Sequence, residues 1–175
     1  MSGDLSALKQ FLGKTPFFGG LDERQLGSLV EMLVERVFPA GSFVFREGES
    51  GRSMYIILSG LVLSCREGKS GRLIKLVRMG PGSFFGETTL IEMQPRPTSV
   101  RVEQDACLFE LTNNSLYQLY QQDVKAYVLV LQNINRELCR RLRRADARLT
   151  EVADLDDDPV TQIRTRDEIR NPGGK

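Results

Sequence analysis

From Ala40 onward the chain is a series of short strand-like runs cut by glycine-bearing turns: "SFVFREGESG", "SMYIILSGLVLSCREGKSG", "RLIKLVRMGPG" and "SVRVEQDACLFELT". Runs of this length, rich in β-branched and aromatic residues and closed by tight turns, specify an antiparallel sheet of hairpins. The pairs Gly48/Gly51, Gly68/Gly71 and Gly80/Gly82 punctuate it, and Pro81 followed by Gly82 suits a tight turn. Each of these glycines is first a solution to backbone geometry.

Helical patterns flank the strands. "DLSALKQFLGKTPFF" reads as a short amphipathic helix broken at Pro16, and "LDERQLGSLVEMLVERVF" as a second helix with Asp22 as its N-cap or first-turn acid. The longest pattern runs from Val124 to Val152. Its apolar positions Leu131, Ile134, Leu138, Leu142, Ala145, Leu149 and Val152 form a narrow seam of coiled-coil type. The seam predicts a homodimer. The alternative is that it lies back on its own β domain, as its first half is expected to do. Residues 1–152 are therefore expected to form one domain that includes the 124–152 helix. The polar stretch 153–175 is expected to be a disordered tail, or one that folds on a partner.

Composition narrows the function classes. A chain of 175 residues suits one domain with a sizeable core. A net charge of +1 gives no whole-protein footprint for nucleic acid or an anionic membrane. No apolar run approaches the roughly 20 residues that span a bilayer, and the N-terminus does not resemble a signal peptide, so the expected location is cytoplasmic. Cys65, Cys107 and Cys139 are odd in number and far apart, which reads as free thiols. The chain has no histidine, which removes the commonest metal ligand and the usual general base near neutral pH. No Walker sequence, dinucleotide fingerprint or paired-acid constellation is present. The expectation is a binding or regulatory protein with no catalytic residues and no metal. Arg136, Arg140, Arg141, Arg143, Arg144 and Arg148 can neutralise phosphates, but they are spread around a helix that needs solvated faces and no aromatics interleave with them. Direct DNA binding is not expected.

The stretch "FFGETTLIEMQPRPTSV", residues 84 to 100, is the candidate site. A turn entering a short helix offers unpaired N–H groups to an anion, and Gly86 allows close approach. Glu87 cannot attract a phosphate, but it can accept from a hydroxyl such as a ribose 2′-OH. Arg96 brings a planar cationic donor. Together they describe a ligand with a hydroxyl beside a phosphate. A buried structural Glu–Arg pair fits the same letters.

This stretch resembles the phosphate-binding cassette of cyclic-nucleotide-binding domains. The resemblance extends over about residues 7 to 150, through "PFFGGLDERQLGSLVEMLVERVFPAGSFVFREGESGRSMYIILSGLV" and through "CRRLRRADARL", which is similar to the long helix of catabolite-activator-like regulators. It implies a mainly β, α+β fold: an antiparallel β-roll or jelly-roll barrel with N-terminal helices, a short cassette helix and a long C-terminal helix. The implied ligand set is Gly86, Glu87, Thr88, Thr89, Arg96, Pro97 and Thr98. Glu87 would meet the ribose 2′-OH, Arg96 the cyclic phosphate, and Thr89 would offer its N–H. Leu76 and Val77 match positions near the base, while Leu90 and Ile91 would couple occupancy to the helices that follow; each of these four also fits a plain core position. The implied ligand is cAMP, favoured over cGMP.

Two positions depart from the family pattern. Pro97 stands where a small residue contributes an N–H to the phosphate, and proline has none. The loss is worth about 1 kcal/mol if water or Thr98 compensates, and about 1–3 kcal/mol if an anionic oxygen is left short of a donor. In "RRADAR", Ala145 replaces a hydroxyl residue that faces the base, while Asp146 can accept from an exocyclic amine or form an exposed ion pair with an arginine. The family's DNA-binding regulators carry a winged helix-turn-helix after the long helix, and residues 151–175 are too few for one. The sequence therefore predicts a stand-alone sensor that reports to a protein partner. Its alternative is a constitutive dimeric scaffold that keeps the fold and binds no nucleotide, a reading that Pro97 favours and that Gly86, Glu87 and Arg96 oppose.

Overall fold

A computed structural model describes residues 2–68 and 70–156, with side chains over 8–68 and 70–152. The described residues fall into two compact units that divide after Asn135.

The first unit opens with α1 (Ser2–Gly13), a 3₁₀ turn (Pro16–Phe18) and α2 (Glu23–Glu31). Asp22 caps α2 in a reciprocal box: its carboxylate accepts from the Gln25 N–H at 2.8 Å, and its own N–H donates to Gln25 Oε1 at 3.2 Å. The helical pattern through Phe38 is corrected here. Helix α2 ends at Glu31, and Val34–Phe38 is strand β1, paired antiparallel from Val34↔Glu110 to Phe38↔Ala106. The physical reason is that Val34 and Val37, apolar positions of the helical pattern, face outward at 42% and 73% exposure. A helix there would bury nothing, whereas a strand completes a ladder on a waiting edge.

The remaining strands are β2 (Phe43–Phe45), β3 (Ser53–Glu67), β4 (Leu73–Met79), β5 (Phe84–Phe85) and β6 (Ser99–Thr112). Every pairing is antiparallel, as the turn spacing predicts. The sheet runs in the order β1-β6-β3-β4, with β2 added to β6 and β5 to β3. The result is a β-roll whose sheet path does not close. Strands β3 and β6 are long, and they bend past one another where their register shifts between Ile57 and Val62. Gly60 sits in this bend at φ +89°, where a Cβ would strike the Asp105 carbonyl and stand 2.6 Å from Ala106 Cα. Inside the roll pack Phe45, Tyr55, Ile57, Val62, Met79, Phe85, Val100, Val102, Ala106 and Leu108.

After β6 come α4 (Asn113–Gln122), capped by the Thr112 hydroxyl, and α5 (Val124–Asp156). The carboxylate of Asp123, between them, accepts from the Ala126 N–H at 2.9 Å, from Arg24 Nη2 at 2.7 Å and from Gln25 Nε2 at 3.2 Å. In the first unit α5 buries Ala126, Val130 and Ile134, and Asn133 Nδ2 donates to the carbonyls of Phe17 at 3.0 Å and Gly19 at 2.8 Å. The second unit continues α5. There Leu142, Leu149 and Val152 are 62%, 68% and 58% exposed. The helix runs past the expected end at Val152 to Asp156, since neither proline nor glycine interrupts it. The expectation of a disordered tail falls largely on 157–175, outside the described residues. Among the described residues no helix is long and apolar enough to cross a membrane.

All three cysteines are free. Burial raises the Cys65 thiol, and burial with a hydrogen bond to Glu35 at 3.4 Å pushes Cys107 up to about 11. Near pH 8 both are held as thiols, and only the thiolate reacts. Limited alkylation followed by peptide mass mapping is expected to modify the exposed Cys139 first. Separately, Gly60→Ala is expected to cost about 2–4 kcal/mol in urea unfolding, through strained φ and the clash with β6.

Candidate functional site: a buried guanidinium in the cassette

The cassette is set by three local choices. Strand β5 pairs Tyr55↔Phe85 and Ile56↔Phe84, which ends the strand against β3. The chain then turns at Gly86, in the left-handed region at φ +81°, and enters α3 (Glu87–Glu92). Helix α3 stops at Met93, itself left-handed at φ +55° and 79% exposed, whose N–H closes on the Thr89 carbonyl at 3.1 Å. Residue 96 is pinned through its main chain, its N–H donating to the Glu49 carbonyl at 2.8 Å and its carbonyl accepting from the Gly48 N–H at 2.9 Å. These two bonds fix the backbone on the turn between β2 and β3, while the side chain lies in the interior.

The Arg96 side chain is 4% exposed. Its Cζ lies 4.0 Å over the Phe45 ring, an arrangement in which the ring quadrupole attracts the cation. Nη1 donates to the Gly86 carbonyl at 3.1 Å and to Thr89 Oγ1 at 3.4 Å, and Nη2 to Ser53 Oγ at 3.5 Å. Nε is buried with no hydrogen-bond partner. Among the described residues no carboxylate lies within ion-pairing distance of this guanidinium. Burial accordingly lowers its pKa, opposed by Tyr55, Glu110, Glu49 and Glu87. Arginine stays protonated through any accessible pH, so the site holds a desolvated positive charge with a donor to spare. Such a group favours an anion that brings its own oxygens.

The structure brings Gly86, Thr89 and Arg96 into contact. Glu87 is buried on α3 at 2% exposure, and Thr88 beside it is half-buried. Pro97 is exposed, and the half-buried Thr98 accepts from Ser64 Oγ at 3.1 Å, which leaves its own O–H to donate. Leu76 and Val77, on β4, are 38% and 45% exposed, and Val77 stands opposite Ser64. A core position for them is therefore corrected: β4 is the last strand of the sheet path, and both side chains stay partly exposed. Leu90 is buried, but Ile91 is 49% exposed and is likewise no core residue. Asp146 lies in the second unit with its side chain exposed, and a contact between it and a base is a proposal.

Three residues outside the cassette complete the arginine's surroundings: Phe45, Gly51 and Ser53. In the sequence Gly51 reads as a turn glycine only. A Cβ there would collide with the Arg96 guanidinium, so the missing side chain is the space the arginine occupies. The pairing of Gly51 with Gly48 at a turn was the only signal available, and Phe45 and Ser53 gave none.

The cyclic nucleotide-binding domain matches residues 35–123, just over half of the chain. The chain belongs to the cyclic nucleotide-binding domain family. That family is regulatory rather than catalytic. The chain is 30% identical to the cyclic AMP receptor protein of Thermus thermophilus over 77% of its own length and 61% of the relative's. It is 33% identical to a cyclic nucleotide-gated potassium channel of Mesorhizobium japonicum, over 62% of its own length and 29% of the channel's. Among solved structures, the Thermus thermophilus catabolite activator protein superposes with a TM-score of 0.71 at 29% identity, over 79% of this chain and 63% of that one. The regulatory domain of Toxoplasma gondii PKA with cAMP gives 0.62 at 27% identity, over 67% and 45%. The chain thus spans less than two thirds of the length of these relatives.

Gly51→Ala is expected to expel the guanidinium from its place and cost about 1–3 kcal/mol. A lowered urea midpoint with an unchanged slope is the measurement that shows it.

Proposed function

We propose that this chain is a regulatory module that binds a cyclic nucleotide monophosphate, cAMP in preference to cGMP, at Gly86, Glu87, Thr88, Thr89, Arg96 and Thr98. The observation that carries the reading is the buried Arg96 guanidinium, with its spare Nε donor and, among the described residues, no carboxylate at ion-pairing distance. A cyclic phosphate supplies one negative charge and several acceptor oxygens, which is what that group lacks. Glu87 is assigned the ribose hydroxyl, and Leu76, Val77 and Asp146 the neighbourhood of the base. The relatives named for cAMP or cyclic nucleotides support this ligand class.

The module has no catalytic or metal role. It works in the cytoplasm as a homodimer joined by the seam of Leu142, Ala145, Leu149 and Val152, whose exposed apolar stripe calls for a partner surface. Its output is a change in the packing of α5 that alters binding of a protein partner, without direct contact to DNA. A ligand drives such a change only through its different affinity for the two arrangements. A second reading, a constitutive dimeric scaffold that binds no nucleotide, is favoured by Pro97, which offers no N–H beside the arginine.

Titration calorimetry with cAMP and cGMP tests both. Saturable binding is expected, weakened by about 100-fold or more in Arg96→Ala, because the charge made for the phosphate is gone. Absence of heat and of any thermal shift at millimolar nucleotide would favour the scaffold, and undiminished binding by Arg96→Ala would remove the phosphate role from this residue.

A further inference from the structure

A line of polar side chains leaves the Arg96 guanidinium and runs across the roll to its outer edge. Arg96 Nη2 donates to Ser53 Oγ at 3.5 Å, Ser53 Oγ to the Tyr55 hydroxyl at 3.4 Å, and Tyr55 to Glu110 Oε1 at 3.4 Å. The other carboxylate oxygen, Oε2, accepts from Arg36 Nε at 2.9 Å. The register makes the line. Ser53 and Tyr55 are two apart on β3 and so face the same side, while Tyr55 stands directly opposite Glu110 on β6. Arg36 lies on β1, two positions along from the residue opposite Glu110.

Each hydroxyl accepts once and donates once, so the donors all point one way, from a buried cation to a carboxylate. Glu110 thereby answers the charge of Arg96 from a distance, in a site where, among the described residues, no carboxylate is at ion-pairing distance of the guanidinium. The Tyr55 ring has little room to swing: it stacks on Phe85 at 5.5 Å and packs at 6.1 Å from Phe45, the ring beneath the guanidinium. Every link from Arg96 to Glu110 is longer than usual, at 3.4–3.5 Å against about 2.7–3.2 Å for an N–H donor and about 2.5–3.0 Å for an O–H donor. A slack line of this kind can be tightened or released at small cost when a stronger acceptor takes a donor at its end.

We propose that Ser53, Tyr55 and Glu110 are positioning residues that orient the Arg96 guanidinium and pass the arrival of an anion on it to the Arg36–Glu110 ion pair at the exposed β1 edge. The proposal rests on the cyclic-nucleotide reading of this site and deepens it: the outer strand β1 becomes a second place where occupancy is felt, apart from α5.

The test uses the full chain with [13Cζ]tyrosine. The protein has four tyrosines and no tryptophan, so the Tyr55 resonance is assigned by its loss in Tyr55→Phe. Saturating cAMP is expected to move that resonance. In ligand-free protein Ser53→Ala, Glu110→Gln and Arg96→Gln are expected to move it already. Calorimetry is expected to show cAMP affinity weakened about three- to tenfold in Ser53→Ala and retained in Ser53→Thr, which keeps the hydroxyl, with both variants melting cooperatively. A Tyr55 resonance indifferent to bound cAMP, or Ser53→Ala binding cAMP as tightly as the parent, overturns the proposal. If cAMP gives no heat, the nucleotide reading fails by itself. The line is then judged on ligand-free Arg96→Gln, where a moved Tyr55 resonance upholds the coupling and an unmoved one overturns it.

Discussion

The architecture of the site depends on burying one positive charge without an adjacent counter-charge. A guanidinium in a protein interior is tolerated only where hydrogen bonds, ring faces and distant carboxylates replace its water. Here the Phe45 ring, the Gly86 carbonyl, and the Ser53 and Thr89 hydroxyls do so. The two main-chain bonds that pin residue 96 to the 48–49 turn prevent the side chain from escaping by moving its backbone.

That arrangement explains why the roll is built as it is. Phe45 and Ser53 come from two strands, Gly86 and Arg96 from the turns on either side of α3, and they meet only because β3 pairs with β6 and β5 while β2 pairs with β6. The bend at Gly60 lets the two long strands approach where a Cβ would not fit. Two glycines that look alike in sequence do different work: Gly60 yields to a neighbouring backbone, and Gly51 yields to a side chain. Helix α3 is short because Met93 turns it off at once, which keeps Thr89 beside the arginine.

Much of this was legible before any coordinates. The four strand runs, the Asp22 cap and the Gly86–Arg96 cassette are local patterns, written in consecutive residues. What failed to show was non-local. Residues 34–38 carry helical periodicity, yet the edge of β6 claimed them, because backbone hydrogen bonds available there outweigh a stripe with nothing to bury. Leu76 and Val77 look like core residues, but their strand lies at the end of the sheet path. Phe45, Gly51 and Ser53 have no motif to announce them, since what they share is a neighbour distant in sequence. The dimer seam and the base contacts are non-local in the same sense: each concerns a surface met by something beyond this fold's own core.

The capping carboxylate of Asp123 carries a consequence of another kind. It joins α2, at the start of the fold, to α5, at its end, through Arg24, Gln25 and the Ala126 N–H. The Ala126 N–H bond, reinforced by Gln25 and Arg24, lowers its pKa, so this clasp is complete above the ordinary carboxylate range and is lost as pH falls through the lowered value. The guanidinium in the roll stays protonated throughout that range. Acid therefore loosens the helical clasp while the arginine keeps its charge, so the hold between the helices and the charge inside the roll respond to pH as separate properties.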